Sequence, residues 1–238
     1  MEKLFERQGM LCVISGPSGS GKTSVCRTLF ERGEWIYATS CTTRQPREGE
    51  VDGRDYHFLS EDEFMNRTLC GEFLEFAKVH GRYYGTLRSE VVGHLKAGRD
   101  VAVDIDVQGA ALIRMCADPV VRGSIVDIII LPDGMDELRN RLAGRATETE
   151  EQLRVRLENA GAEMRQWTAY SYVIVSGSRE EDVESVRTIL TAERCRSSRL
   201  RPAEGADEEV AGARMRESLP EIEQTEIFTP PPGREPST

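Results

Sequence analysis

The amino-acid sequence predicts an α/β fold in which a parallel β-sheet is covered by helices on both faces. Short, nearly continuous apolar runs recur at 10–15, 101–105, 125–131 and 172–175, and such runs are typical of strands buried on both faces. Amphipathic stretches separate the later runs, and a glycine-rich segment joins the first run to a helical pattern over 22–32. Strand and helix therefore alternate, as in a sheet whose strands are joined by crossover helices.

The glycine-rich segment fits the phosphate-binding pattern GxxxxGK(S/T). It reads Gly16-Pro17-Ser18-Gly19-Ser20-Gly21-Lys22-Thr23. Backbone N–H groups of such a loop bind phosphate oxygens, Lys22 is expected to reach the β- and γ-phosphates, and the Thr23 hydroxyl is expected to bind Mg²⁺. A plain glycine-rich turn is the alternative, but the four fixed positions match by chance in only about one chain in a hundred. The motif therefore predicts a site for ATP or GTP.

Two carboxylates, Asp104 and Asp106, stand at the end of the second apolar run. They are two residues apart on a strand and so point to the same face. Acids at the carboxyl end of a parallel strand lie beside the ligand crevice. We expect Asp104 to support the Mg²⁺ sphere through water. For Asp106 a structural role remains open, as a cap of the helix that begins near Gln108.

Residues 37–86 differ from the rest, with short polar, glycine-rich and aromatic pieces and a helical piece near 61–69. We interpret them as an inserted lobe of small strands. Arg44 and Arg47 are three residues apart and could fork around one phosphate, since guanidinium groups suit bidentate binding. A hydroxyl from Tyr56 or Tyr84 could complete that shell. Surface arginines in a loop are the alternative.

The bulk properties exclude several classes of function. A net charge of −10, with arginine enriched only over 194–201, argues against a nucleic-acid surface. The six cysteines and three histidines lack the spacing of a metal site or a disulfide framework. No secretory signal is recognisable, and the longest apolar run is too short to span a bilayer. We therefore expect a cytoplasmic protein with no membrane partner.

Several segments, taken together and in this order, resemble the guanylate kinase family over residues 9–195. They are the phosphate-binding loop, S-x-T-T-R-x-P-R-x-G-E-x-x-G-x-x-Y-x-F from Ser40, E-F-x-E ending at Glu75, Tyr83-Tyr84-Gly85-Thr86, Asp104-Ile105-Asp106-Val107-Gln108-Gly109 and Gly144-Arg145-Ala146-Thr147-Glu148-Thr149. The resemblance implies transfer of a phosphoryl group from ATP to GMP with Mg²⁺. It also implies a P-loop kinase core (1–36 and 87–195), a nucleoside monophosphate-binding lobe (37–86) and a mobile lid at about 140–160.

The same resemblance implies roles for single residues. The GMP phosphate would be bound by Arg44, Arg47, Tyr56 and Tyr84. Guanine would be read by Ser40, Glu75, Thr86 and Asp106, and we also place Asp104 in the GMP site. The cations that act on the transferring phosphoryl group would be Lys22, Arg44, Arg141, Arg145 and Arg156.

Some features fall outside this pattern. Ser176-Gly177-Ser178 stands where the family usually has an Asn-Asp sequence near adenine, so no side-chain contact to adenine is predicted. Residues 196–238 are rich in proline and acids, and we expect a disordered tail there. Two other functions stay open: an ATP-dependent kinase of a phosphorylated ribose, and a non-catalytic phosphopeptide-binding module. Glu75 argues against the first, and Lys22 argues against the second. The sequence predicts no oligomeric state.

Overall fold

The computed structural model describes residues 5–79, 81–143 and 150–203 of the 238-residue chain. Eleven strands are formed in these ranges: β1 (Phe5–Arg7), β2 (Leu11–Ser15), β3 (Ile36–Tyr37), β4 (Cys41–Thr42), β5 (His57–Phe58), β6 (Phe73–Val79), β7 (Arg82–Leu87), β8 (Val101–Asp104), β9 (Ile125–Leu131), β10 (Tyr172–Val175) and β11 (Leu200–Pro202). The α-helices in the same ranges are α1 (Lys22–Glu31), α2 (Glu61–Leu69), α3 (Val92–Lys96), α4 (Val107–Arg114), α5 (Pro119–Ser124), α6 (Met135–Ala143), α7 (Glu150–Met164) and α8 (Arg179–Arg194).

The chain divides into two compact units, Arg7–Leu200 and a smaller one made of Met1–Glu6 with Arg201–Thr238. In the smaller unit the structure describes residues 5–6 and 201–203. There β1 pairs with β11, and the Arg201 guanidinium lies 3.3 Å from the Glu6 carboxylate. The larger unit contains the two other sheets and all eight α-helices described here.

The central sheet of the larger unit has five parallel strands in the order β10-β9-β2-β8-β3. The four apolar runs predicted as strands form β2, β8, β9 and β10, which confirms the predicted parallel sheet. The prediction did not include β3, a two-residue edge strand whose side chains are only half-buried. In β2, Ile14 is in register with both Asp104 and Ile128. The phosphate-binding loop therefore leaves the sheet beside the carboxyl ends of two other strands.

Alternation along β2 divides the core into two layers. Met10, Cys12 and Ile14 pack on one face against α1 and α8. Leu11 and Val13 pack on the opposite face against α3, α4 and α5. The predicted helices on both faces are thus confirmed.

The inserted lobe is a separate sheet of four short strands in the order β5-β4-β7-β6. Its only described helix, α2, occupies the residues predicted to be helical, because Ser60 and Glu63 form a capping box at its start. Phe64 of α2 stacks on Phe73 of β6 with 4.4 Å between ring centroids. Together with Cys41 and Leu87, these rings form the small core of the lobe.

The C-terminal boundary differs from the expectation of a tail from residue 196. Ser197–Arg199 forms a 3₁₀ turn, and the Arg199 side chain is buried. Its guanidinium donates to the Glu193 carboxylate at 2.8 Å and 3.2 Å and to two carbonyl oxygens, those of Gly123 and Ile125. The sequence did not indicate that this arginine is buried, because it lies in a short stretch rich in arginine. The remainder of the predicted tail, 204–238, lies outside the described residues.

The helices found in 5–79, 81–143 and 150–203 include none with the length and apolar character needed to cross a membrane. The predicted lid at about 140–160 is described only in part, because residues 144–149 lie outside these ranges.

Candidate active site

A cavity of about 600 Å³ opens between the phosphate-binding loop, the lobe and α7. Its wall contains most of the residues that the sequence singled out: Gly16, Ser18, Gly19, Gly21, Lys22, Thr23, Ser40, Arg47, Tyr56, Glu75, Tyr84, Asp104, Asp106, Arg141 and Arg156. Four predicted residues that the structure describes do not line it: Pro17, Ser20, Arg44 and Thr86. The fold therefore brings residues from both ends of the larger unit to one place.

The phosphate-binding loop has the backbone that glycine makes possible. Gly16, Gly19 and Gly21 all have positive φ angles, and a Cβ at Gly16 would lie only 2.2 Å from the Ile130 carbonyl oxygen. The Lys22 ammonium group donates to the carbonyl oxygens of Gly16 at 2.7 Å and Pro17 at 3.0 Å. The side chain of Lys22, which is predicted to bind phosphate, is thus held in place by carbonyl oxygens of the loop.

Thr23 and Asp104 form the oxygen pair predicted for a metal ion. The Thr23 hydroxyl donates to Oδ2 of Asp104 at 2.5 Å. These are hard oxygen donors of the kind that Mg²⁺ prefers. In the parts of the chain that the structure describes, no group of three or more His, Cys, Asp or Glu side chains could hold a metal ion.

Asp106 has the structural role that the sequence left open. It is the N-cap of α4, and its Oδ1 accepts the backbone N–H of Gly109 at 2.9 Å. Its side chain is half-buried and also lines the cavity. Its predicted role in reading guanine stays a prediction.

Glu75 is a buried carboxylate, with 5 % of its surface exposed. The Thr86 hydroxyl donates to its Oε1 at 2.7 Å. The pKa of Glu75 is raised to about 7, mainly by burial; the hydrogen bonds from Thr86 lower this pKa, and the nearby charge of Asp106 adds to the rise. Because Thr86 occupies one side of the carboxylate, the other acceptor positions are available to a ligand in the cavity.

Arg44 is held by a partner that the sequence analysis did not identify. Its guanidinium donates two hydrogen bonds of 2.9 Å to Glu50 and lies 5.3 Å from the centroid of the Tyr56 ring. Glu50 also accepts the backbone N–H of Arg47 at 2.7 Å. The Glu50 carboxylate raises the pKa of Arg44, and the Arg44 guanidinium lowers the pKa of Glu50. The one sequence feature that could have indicated this ion pair is that Arg44 and Glu50 are only six residues apart in the same loop.

Two of the predicted lid arginines contact the phosphate-binding loop. Arg156 of α7 donates to the Ser18 hydroxyl at 2.7 Å. Arg141 of α6 donates to the Ser20 carbonyl oxygen at 3.4 Å and to the Ser176 hydroxyl at 3.1 Å. The third, Arg145, lies outside the described residues.

The comparisons with known proteins agree with this geometry. The family model for guanylate kinase matches residues 8–193. This chain belongs to the guanylate kinase family. It is 42 % identical to a guanylate kinase of Clostridium tetani over 194 residues, 82 % of this chain and 91 % of that protein. It is 43 % identical to a guanylate kinase of Thermotoga maritima over 193 residues, 81 % of this chain and 91 % of that protein.

A solved structure supports the same conclusion. The crystal structure of guanylate kinase from Anaplasma phagocytophilum superposes with a TM-score of 0.72 at 30 % sequence identity, covering 90 % of this chain and 98 % of that one. The family predicted from the sequence is thereby confirmed. The roles of single residues in this guanylate kinase family member stay predictions.

Residues 176–178, the segment that departs from the family pattern, form hydrogen bonds with other parts of the protein. The Ser176 hydroxyl donates to buried Asp182 at 2.7 Å, and the Gly177 N–H donates to the other oxygen of that carboxylate at 3.0 Å. Ser178 caps α8 through a capping box with Glu181. In this family member the segment therefore supports Arg141 through Ser176 and begins the last helix.

The sequence analysis also missed Glu163. This residue lies seven positions after Arg156, on the same face of α7. Glu163 lines the cavity. Burial raises its pKa, the charge of Asp106 adds to this, and Lys22 opposes it. A single glutamate in a highly charged helix gave no signal, since only the helix packing shows which face meets the loop.

Proposed function

We propose that this protein is a guanylate kinase, which transfers the γ-phosphoryl group of ATP to GMP and releases ADP and GDP. One observation carries the proposal: the phosphate-binding loop and the buried Glu75 carboxylate lie in the wall of the same cavity. The loop suits the phosphates of ATP, and a carboxylate suits the N–H groups of guanine, which are hydrogen-bond donors. Membership of the guanylate kinase family supports this reading.

The donor phosphates bind the loop formed by residues 16–23, whose N–H groups and helix N-terminus attract anions. Mg²⁺ would be held by the Thr23 hydroxyl and by Asp104, whose oxygens are of the kind that this ion prefers. When bound, the ion neutralises charge on the phosphate oxygens. The Lys22 ammonium group exchanges its two carbonyl partners for phosphate oxygens.

The acceptor phosphate binds in the lobe, where Arg47, Tyr56 and Tyr84 line the cavity and Arg44 lies behind Tyr56. Guanine offers N–H donors at N1 and N2 and an acceptor at O6. Glu75 accepts the two donors, and Ser40, which lines the cavity, supplies a hydroxyl. AMP has no N1 or N2 donor, so it would leave a buried carboxylate unpaired, and mismatches of this kind reject an analogue strongly.

Catalysis needs no general base, because the attacking oxygen belongs to a phosphate that is mostly ionised near neutral pH. The protein therefore positions two nucleotides and stabilises the charge that spreads over the transferring group. The contacts of Lys22, Arg141 and Arg156 with the loop support this role for the three residues. We propose that Arg145 acts with them, and that closure of the lid excludes water.

Initial rates with ATP, Mg²⁺ and a panel of acceptors test the proposal. We expect turnover with GMP, strong preference over AMP and UMP, and no turnover of ribose phosphates. Equal rates with GMP and AMP would refute the guanine assignment. Turnover of a ribose phosphate alone would favour the alternative kinase, and absence of any turnover would favour a binding module.

A further inference from the structure

Gly109 lies in the first turn of α4 and is buried against the Glu75 carboxylate. A Cβ placed on this glycine would lie 2.7 Å from Oε2 of Glu75 and 3.2 Å from its Cδ. Atoms at these positions need at least 3.4 Å for an ordinary contact. Even alanine would therefore require the carboxylate oxygen to move by about 0.7 Å, or the helix to retreat.

Neither movement is free. On its other side the carboxylate accepts the Thr86 hydroxyl at 2.7 Å, so a shift away from α4 presses on a buried partner. The helix is fixed at the same turn, because Asp106 accepts the Gly109 N–H at 2.9 Å. The third neighbour of the added Cβ is Cδ1 of Ile105, at 3.3 Å. A Cβ at position 109 would therefore be blocked by Glu75 and by Ile105.

Glycine is among the poorest helix formers, and alanine is the best. Helix propensity therefore disfavours glycine at position 109, and the close contact with Glu75 explains why a glycine is present there. Gly93 of α3 is a useful comparison, since a Cβ added there meets nothing within 4 Å.

We propose that Gly109 is a specificity-determining residue, whose missing side chain leaves the space in which the Glu75 carboxylate faces the acceptor base. The inference rests on the proposed guanylate kinase function. Gly109 acts through Glu75 and is thus a positioning residue. A displacement of about 1 Å in a binding site can lower a rate by about 100-fold, so alanine at this position is sufficient to impair guanine recognition.

The first test compares Gly109→Ala with the matched control Gly93→Ala. We expect Gly109→Ala to lower kcat/KM for GMP by about 10- to 100-fold and to reduce the GMP/AMP ratio by a similar factor. The KM for ATP should stay within about twofold of wild type, because the atoms nearest to an added Cβ belong to Glu75 and Ile105 and not to residues 16–23. The Gly93→Ala enzyme should match wild type in all three measurements.

The second test is a double-mutant cycle with Glu75→Ala, which removes the group that an alanine at 109 would meet. Gly109→Ala should lower the thermal midpoint in the wild-type background but should not lower it in the Glu75→Ala background, where the higher helix propensity of alanine favours the folded state. It should also cause no further loss of the GMP/AMP ratio there. This cycle remains informative if Gly109→Ala alone fails to fold, since the double variant should then fold.

The outcomes separate the inference from the proposed function. Wild-type protein without turnover of GMP would refute the function, and the inference with it. Wild-type preference for GMP together with an unchanged ratio in Gly109→Ala would overturn the inference alone. Additive thermal effects, an equal loss of ATP affinity, or unfolding of both Gly109→Ala and the double variant would also overturn it.

Discussion

Glu75→Gln is the substitution that separates what the buried charge does for function from what it does to stability. The amide keeps the shape of the side chain and an acceptor for the Thr86 hydroxyl, but it cannot ionise. In the wild type, burial raises the pKa of Glu75 from 4.5 to about 7. A carboxyl group whose pKa is higher in the folded state contributes stability below the unfolded pKa and loses it as the pH rises through the folded one.

The magnitude follows from the size of that shift. A change of about 2.5 pKa units corresponds to about 3 kcal/mol at 1.36 kcal/mol per unit. Between about pH 4.5 and about pH 8 the unliganded wild type should lose this much stability relative to Glu75→Gln. For a protein of this size, 1 kcal/mol shifts the thermal midpoint by about 2–4 °C. The midpoint of Glu75→Gln relative to wild type should therefore rise by roughly 6–12 °C over this range.

Function should change in the opposite direction. Guanine donates from N1 and N2 to a charged acceptor in the wild type, and loss of such bonds costs about 1.5–3 kcal/mol. The GMP/AMP ratio of kcat/KM should therefore fall by about 10- to 150-fold. The kcat with saturating GMP should change less, because Glu75 does not contact the transferring group in this proposal.

Two assays check these expectations. Thermal unfolding without ligands at several pH values measures the stability effect, with exposed Glu31→Gln as the matched control. Initial rates with GMP and AMP measure the discrimination. A midpoint difference that does not vary with pH would contradict the buried charge. An unchanged GMP/AMP ratio would show that guanine is read by other residues.

Lys22→Ala should lower kcat by several orders of magnitude with little change in the thermal midpoint, since Lys22 meets charge that builds during transfer; retention of more than about a tenth of wild-type kcat would contradict this role. Glu50→Gln should raise the KM for GMP by about tenfold and leave the KM for ATP unchanged, whereas exposed Glu48→Gln should alter neither. A chain ending after Ser198 should be destabilised by about 1.5–3 kcal/mol, because buried Glu193 loses Arg199 but keeps Arg196 and Tyr172, while a chain ending after Ala203 should keep its midpoint and kcat; equal midpoints would show that this buried pair does not matter. The KM for GMP of wild type should rise as the pH falls below about 7, as Glu75 becomes protonated, and a similar rise in Glu75→Gln would assign the effect to the phosphate of GMP instead.

The sheet was predictable because its strands are buried on both faces, which makes them continuous apolar runs. β9 is an example, with five of its seven residues buried. The edge strand β3 was not predictable in this way, because two half-buried residues leave no pattern. The strands of the lobe were predicted only as a group, since β4 and β5 have two residues each and are defined by pairing with distant partners.

The site was predictable where a motif fixes both residue type and spacing, as in the phosphate-binding loop. Residues that act through a distant partner escaped the sequence analysis. Gly109 is 34 positions from Glu75, and its importance appears only once β6 and α4 are packed together. Arg199 looked like part of an exposed basic stretch, although it closes a buried contact with Glu193. Motifs therefore predict the groups that touch ligands better than the groups that position them.

Three of the described cations expected to act on phosphate are already bound to oxygen atoms of the protein. Lys22 donates to two loop carbonyls, Arg44 to Glu50, and Arg141 to the Ser176 hydroxyl and to Glu137. If these three side chains bind phosphate as proposed, we expect substrate binding to exchange one acceptor for another instead of ordering a free side chain, which lowers the entropic cost of binding. The partners differ in kind among the three, because a carbonyl carries no charge whereas Glu50 and Glu137 are carboxylates. Glu50 accepts from both terminal nitrogens of Arg44. If Arg44 binds GMP as proposed, we expect the phosphate to approach the remaining edge of the guanidinium or to displace the carboxylate, so that Glu50 sets where the acceptor phosphate binds.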